Sequence, residues 1–460
     1  LRMGGMRKTI HRRGDVILQE KPFACVLDPR YRDSRCDRCF KETKVMKCSN
    51  CLYVRYCGRS CQKEAWSDHK EECEKLKALP PGLVVPSAAL MIARIVRRLL
   101  KGGDTHKGYY TSKQYRKFCD LMPHEENIRA DSKRMEHFGT LYVVLQRLLD
   151  EASRPTKAEL LRIYGKMCIN TFNILDAEMS TIGTGMYIGA SIIDHSCRPN
   201  VVVSFDGETL RMRLLEDYPE QELDFGKLFI SYIDLIDTAE VRQEQLAERY
   251  YFHCACERCR DEQEQKRMNA AACPNTTCHE PLDFSDSEQL NQCPACGTAV
   301  THSDREAFAE ISSFTRDHLA QMKSVASTDL DVSRLCLEKQ ANVLHRYNVH
   351  HIKTLDNAME SALNLEKWTE ATGYGLRLLD GFRQYYSTYH PLLGLTYLKV
   401  GKLQLYQCQF AEALKQLQQA AKILRVTHGE QDDLYKRVLV PLLCDAAQGD
   451  LGHLAIADEG

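Results

Sequence analysis

The hydrophobic rhythm of the chain changes several times, and each change marks an element. Near the start, Val16-Ile17-Leu18 and Phe23-Ala24-Cys25-Val26-Leu27 are short apolar runs separated by Pro22, and they read as two strands. From Ser87 to about Lys166 apolar residues recur at helical spacing: Leu90, Ile92, Ile95 and Leu99, then Phe138, Leu141, Val144, Leu145 and Leu148. Between 167 and 240 the pattern shortens to strands and turns, as in Val201-Val202-Val203-Ser204-Phe205 and Leu228-Phe229-Ile230-Ser231-Tyr232. From about Asp304 to the end it is helical again.

That tail carries internal similarity. Ala371 matches Ala413 at an offset of about 42 residues, Trp368 matches Phe410, and Met359 matches Gly401. Gly401, Ala413 and Ala420 have the small-residue spacing of a tetratricopeptide repeat, a unit of about 34 residues. Stacked helix pairs are expected; an irregular helical bundle is the alternative.

Composition narrows the class. The 460 residues hold 62 Lys+Arg against 63 Asp+Glu, a net charge of −1. Length points to two to four domains, and the balanced charge excludes a dominantly basic nucleic-acid binder. The most apolar helical stretch, residues 90–100, is broken by Arg94, Arg97 and Arg98 and falls short of a membrane span. The basic residues near the start are followed by no apolar segment, so a secretory signal is not expected. The chain opens on Leu1 rather than Met, which leaves open whether residues precede it.

Cysteine changes the picture most. Of 21 cysteines, most fall in tight groups, while Cys25, Cys119, Cys168, Cys336, Cys408 and Cys444 stand apart. With no secretion signal, close pairs argue for zinc thiolates in a reducing compartment rather than disulfides. Cys36-x2-Cys39-x8-Cys48-x2-Cys51-x5-Cys57-x3-Cys61-x7-His69-x3-Cys73 supplies seven thiolates and one imidazole, enough for two closed tetrahedral sites. Spacing alone leaves sequential and interleaved pairing open. So short a segment builds little core, and metal binding must supply its folding free energy. Its eight Lys/Arg against six acids support only weak, salt-sensitive contact with nucleic acid.

The ligand order resembles the MYND zinc finger. The resemblance implies Cys36, Cys39, Cys57 and Cys61 around one ion and Cys48, Cys51, His69 and Cys73 around the other. It also implies a docking surface for proline-containing peptides. Farther on, Cys254-x-Cys256-x2-Cys259 lacks a local fourth ligand, and Cys197 is its natural completion. A last group, Cys273-x4-Cys278-x14-Cys293-x2-Cys296, resembles a zinc ribbon. Three structural zinc sites are expected, with the ribbon-like group as a fourth.

His195-Ser196-Cys197-Arg198-Pro199-Asn200, then Leu228-x3-Tyr232, then the cysteines at 254–259, resemble a SET-domain lysine methyltransferase. With the finger, a helical insert and a repeat tail, the whole chain resembles the SET- and MYND-domain (SMYD) family. That implies a multidomain α+β fold: SET residues 1–35, finger 36–73, helical insert 74–166, SET core 167–240, a zinc-bound post-SET segment with the ribbon at 241–303, and a tetratricopeptide-like helical domain at 304–460.

The resemblance further implies transfer of a methyl group from S-adenosylmethionine to a lysine of histone tails or non-histone proteins. Phe172, Tyr232 and Tyr250 would line the lysine channel, where aromatic walls tolerate a cation and exclude water. The Tyr232 hydroxyl, with an ordinary pKa of ~10, would orient the amine as a hydrogen-bonding group. Arg2, Gly4, Gly5, Asn170, Ser191, Asp194, His195, Tyr232 and Phe252 would hold the donor, and one zinc at Cys197 would tie the donor loop to the channel wall. Asp194 stands where the family usually has Asn, Met3 where it has Gly, and Lys227 where it has an acidic residue. These departures keep a second reading open, a MYND and repeat scaffold with a catalytically weak SET domain. A monomer in cytoplasm and nucleus, without membrane contact, is expected, as is chaperone C-terminal peptide binding at the tail.

Overall fold

The computed structural model describes residues 11–80, 82–219, 222–284, 291–322 and 326–458. The expected donor residues Arg2, Gly4 and Gly5, and Met3 between them, lie outside the described residues. The chain divides into two units. One comprises Leu1–His195, Pro199–Ile230 and Ala247–Phe252; the other comprises Ser196–Arg198, Ser231–Leu246 and His253–Gly460.

The first unit is built on small sheets. Val16–Glu20 pairs antiparallel with Thr209–Leu214, which pairs antiparallel with Val201–Asp206. Along Thr209–Leu214 the buried residues Leu210, Met212 and Leu214 alternate with half-buried Thr209, Arg211 and Arg213, the period of a strand with one face on a core. A second antiparallel sheet orders Ala24–Leu27, Thr181–Met186 and Thr171–Leu175. Phe229–Ile230 and Asp194–His195 add a two-residue parallel pair. The strand expected at 228–232 is therefore shorter: it ends at Ile230, and Ser231 Oγ donates to the Ile233 carbonyl at 2.7 Å, starting a turn that contains Tyr232.

Helices pack around these sheets. Ser87–Leu100 buries Leu90, Met91, Ile92, Ala93, Ile95 and Val96, and so is apolar over much of its circumference. Lys157–Asn170 opens with a capping box: the Glu159 N–H donates to the Thr156 hydroxyl, and the Thr156 N–H donates to the Glu159 carboxylate at 2.8 Å. It ends at Asn170 and passes directly into the strand Thr171–Leu175, which carries Phe172. At the hairpin turn, Gly207 has φ +60°, and a Cβ there would stand 2.2 Å from the Cys39 carbonyl oxygen. Glycine thus lets the hairpin tip close onto the finger, where Arg38 and Glu208 pair at 2.8 Å.

The second unit is largely helical. Val349–Asn364 and Trp368–Tyr385 are followed by Pro391–Tyr406 and Phe410–Thr427, so that 349 and 391, and 368 and 410, each differ by 42 residues. The repeat is real but longer than the tetratricopeptide period of about 34. Small residues bring its helices together: a Cβ on Gly401 would lie 2.8 Å from the Leu417 side chain, and Ala413 and Ala420 are fully buried. No helix among the described residues is long and apolar enough to cross a membrane.

A buried polar network fixes the register of this stack. Gln340 Nε2 donates to Thr315 Oγ1 and Thr354 Oγ1, its Oε1 lies 2.7 Å from His351 Nδ1, and Arg377 Nη2 lies 3.3 Å from His351 Nε2. Since Arg377 can only donate, Nε2 is the acceptor and Nδ1 carries the proton; His351 is neutral. Burial, aided by the Arg377 charge, pushes its pKa down to about 3. The unfolded chain, with a histidine pKa near 6.5, therefore binds a proton that the folded chain refuses. The stability this confers is complete above about pH 6.5 and is lost as pH falls toward 3. Between pH 7.5 and 5 the loss from His351 alone should be about 2 kcal/mol. Thermal unfolding followed across that range should show it, with a flatter pH dependence in His351→Gln.

Candidate metal centres and active site

The finger cysteines fall into two interleaved groups, Cys36, Cys39, Cys57 and Cys61, and Cys48, Cys51, His69 and Cys73, with the ligand atoms of each group within 4.8 Å of one another. Spacing left this pairing open. Sulfur separations of 3.9 Å for Cys39–Cys57 and 3.8 Å for Cys48–Cys73 are far beyond a disulfide and close to the ~3.8 Å edge of a tetrahedron with 2.3 Å zinc–sulfur bonds. The residues fit zinc.

One of these ligands is fixed by groups the sequence reading assigned no role. His69 Nε2 lies 3.6 Å from Cys51 Sγ, while its Nδ1 lies 3.4 Å from Glu72 Oε1, one helical turn along Arg59–Lys77. The carboxylate thereby selects the tautomer that presents Nε2 to a metal. Glu72 is 1% exposed, and Arg94 grips it with Nε and Nη2, each at 2.8 Å, while Arg94 Nη1 donates to the Cys25 carbonyl at 2.6 Å. Burial alone would raise the Glu72 carboxyl, but the Arg94 guanidinium outweighs it and holds the group well below the usual carboxylate range. Glu72 and Arg94 also line a cavity of about 320 Å³ between the finger helix, Ser87–Leu100 and the strand Ala24–Leu27.

In the second unit Cys197 joins Cys254, Cys256 and Cys259 in one group, with Cys197 and Cys259 sulfurs 3.6 Å apart. Four thiolates around Zn²⁺ leave two net negative charges, and the buried Arg242 faces them. Arg242, 0% exposed, points Nη2 at Cys259 Sγ from 3.7 Å, and Arg258, 2% exposed, donates to the Cys197 carbonyl at 3.3 Å. Cys273, Cys278, Cys293 and Cys296 form the fourth group.

The first unit also holds most of the expected active-site residues. His195 and Phe252, far apart in sequence, have ring centroids 6.0 Å apart. Phe172 meets Tyr187 edge-on at 5.8 Å. Tyr250 ends the helix Ala239–Tyr250, and burial raises its hydroxyl pKa. The buried Asn170 donates its amide to the carbonyls of Met122 and Lys166, at 3.2 and 2.9 Å, and so secures the helix end. Asp194 is exposed and Ser191 half-buried. Tyr232 is half-buried and belongs to the second unit's segment Ser231–Leu246.

The loop at 189–195 is held by side chains that sequence reasoning missed. Glu20 accepts from the Gly189 and Ala190 N–H groups at 3.0 and 2.8 Å, and Arg116 donates to the Ser191 carbonyl at 2.8 Å. Asn200 bridges the next stretch, donating to the Lys227 carbonyl at 2.9 Å and accepting from the Phe229 N–H at 2.8 Å. Only Asn200, next to Pro199 in the quoted motif, carried a sequence signal; Glu20 and Arg116 carried none.

Residues 36–73 match the family model described as the MYND finger. The chain is 30% identical to the human "Histone-lysine N-methyltransferase SMYD3" over 444 residues, which is 95% of this chain and 93% of that protein. It is 28% identical to the Arabidopsis thaliana "Histone-lysine N-methyltransferase ASHR1", covering 97% and 93%, and 26% identical to the zebrafish (Danio rerio) "N-lysine methyltransferase SMYD2-A", covering 91% and 90%. The chain belongs to the SET- and MYND-domain (SMYD) family of protein-lysine methyltransferases.

Two measurements check the metal assignment. Elemental analysis should find four zinc ions per chain and three in Cys197→Ser. Replacing Glu72 by Gln should leave Arg94 without its counter-charge, at a cost of about 3 kcal/mol. The same change should weaken zinc at the His69 site ten- to a hundredfold, read as faster release to a chelator, while the Cys36 site is unaffected.

Proposed function

We propose that this chain transfers a methyl group from S-adenosylmethionine to lysine side chains of histone or non-histone proteins. When bound, S-adenosylmethionine supplies a methyl on a positively charged sulfur, open to in-line attack by a neutral amine. That relatives are named as histone-lysine and N-lysine methyltransferases supports the lysine acceptor. One observation carries the reading: His195 and Phe252, each expected to hold the donor, stand together despite their distance in sequence.

In this proposal Phe172 and Tyr250 offer aromatic surface that accepts an ammonium, holds the aliphatic stem and excludes water. The Tyr250 phenol, protonated at neutral pH at its ordinary pKa of ~10 and pushed further up by burial, serves as a hydrogen-bonding group and not as a base. Loss of the ammonium proton is then driven by desolvation of the lysine tip. To Tyr232 we assign orientation of the amine. Ser191, Asp194 and His195 would meet the donor along the loop that Glu20 and Arg116 hold in place. Asn170, whose amide nitrogen is engaged by two carbonyls, would contribute through its oxygen or its backbone.

Incubation with labelled S-adenosylmethionine and a lysine-rich protein mixture tests this. Label should enter protein lysines, and Tyr232→Phe should lower the rate by at least about tenfold. Donor binding without transfer to any protein in the mixture would favour the scaffold reading instead.

A further inference from the structure

The segment that carries Tyr250 and Phe252 is bent at an unusual residue. Tyr251 has φ +61°, the left-handed region that side chains other than glycine seldom adopt. Its N–H closes the last helical turn onto the Ala247 carbonyl at 3.1 Å, which leaves the Glu248 and Arg249 carbonyls to find other donors. Arg134, from the helix Ser132–Leu148, provides them: its Nη2 reaches the Arg249 carbonyl at 3.0 Å and the Glu248 carbonyl at 3.5 Å. A cation there also suits the negative end of the helix. The same guanidinium stands 5.6 Å from the Tyr251 ring centroid, and the His124 ring flanks that ring at 5.6 Å. Asp131 holds Arg134 from behind, accepting its N–H at 3.0 Å and pairing with its Nε at 3.8 Å.

We propose that Arg134 is a positioning residue for methyl transfer. It clamps the end of the Tyr250 helix, keeps Tyr251 in its left-handed turn, and thereby sets where Tyr250 and Phe252 stand. The inference rests on the reading that these two aromatics face lysine and donor. A left-handed tyrosine is strained in isolation and persists only where its surroundings over-determine it. Arg134 is the residue that grips both the backbone before Tyr251 and its ring.

The test uses the full chain, as wild type, Arg134→Gln and Arg134→Lys, with thermal unfolding confirming that each is folded. Amide hydrogen exchange at residues 247–252 should be at least tenfold faster in Arg134→Gln and intermediate in Arg134→Lys, which keeps a donor and a charge. With labelled S-adenosylmethionine and a protein acceptor, kcat should fall at least tenfold in Arg134→Gln, with KM for the acceptor changing less than threefold. The ratio of mono- to dimethylated lysine should shift in the same variant. Unchanged exchange at 247–252, or wild-type kcat and product ratio despite faster exchange, would overturn the clamp. A wild-type chain that transfers no methyl would overturn the site reading itself, and with it this role for Arg134.

Discussion

A carboxylate that water scarcely reaches organises the first unit. Taking Glu72 out of solvent costs several kcal/mol unless its charge and lone pairs are answered. Here they are answered by His69 on one side and by two nitrogens of Arg94 on the other. The guanidinium spends its third nitrogen on the Cys25 carbonyl, in the strand Ala24–Leu27. An unbroken chain of charge-assisted bonds therefore runs from a metal ligand, through a helix, to the edge of a core sheet. The finger is consequently part of the fold rather than a module tethered to it. The second unit meets the same difficulty with the sign reversed, since four thiolates around a zinc ion call for buried positive charge, and Arg242 supplies it.

These devices are needed because the sheets are small. Two three-stranded sheets and a parallel pair of two residues give little cooperative hydrogen bonding, and a parallel pair that short has no stability of its own. The structure compensates with side chains that act as backbone partners. Glu20, Arg116 and Asn200 come from three separate parts of the chain: the first two hold residues 189–191, just before Asp194–His195, and Asn200 holds Lys227 and Phe229, at the strand that pairs with it. A loop held in this way is ordered before any ligand arrives, which reduces the entropy lost on binding.

How far the sequence disclosed this depended on the range of the interaction. Metal ligands were legible because thiolates are rare and closely spaced, and the helices Ser87–Leu100 and Ser132–Leu148 were legible through their apolar period. The interleaving within the finger was legible only through the family resemblance, because spacing constrains neighbours along the chain and says nothing of which knuckles meet. The tail repeat was visible at an offset of 42 from Ala371 and Ala413, yet the small-residue spacing suggested a shorter unit. Helix length, set by where Lys367 and Gln409 begin the second helix of each pair, decides the period instead. Glu72, Arg94 and Arg134 looked like ordinary charged residues on helices. What distinguishes them is burial and partners from distant segments, and both exist only after folding.

The coordination number of the metal groups also bears on the chemistry. Each of the four groups brings four protein ligands, and four ligands fill a tetrahedral zinc site. An ion so enclosed keeps no exchangeable position for water or substrate, so its contribution is to the fold. Activation of the lysine must then come from the organic groups around it. A neutral phenol does not take a proton readily, but an aromatic wall that strips water from an ammonium makes the neutral amine easier to reach. Lysine methylation needs little more than that from a protein, provided the aromatics are held still.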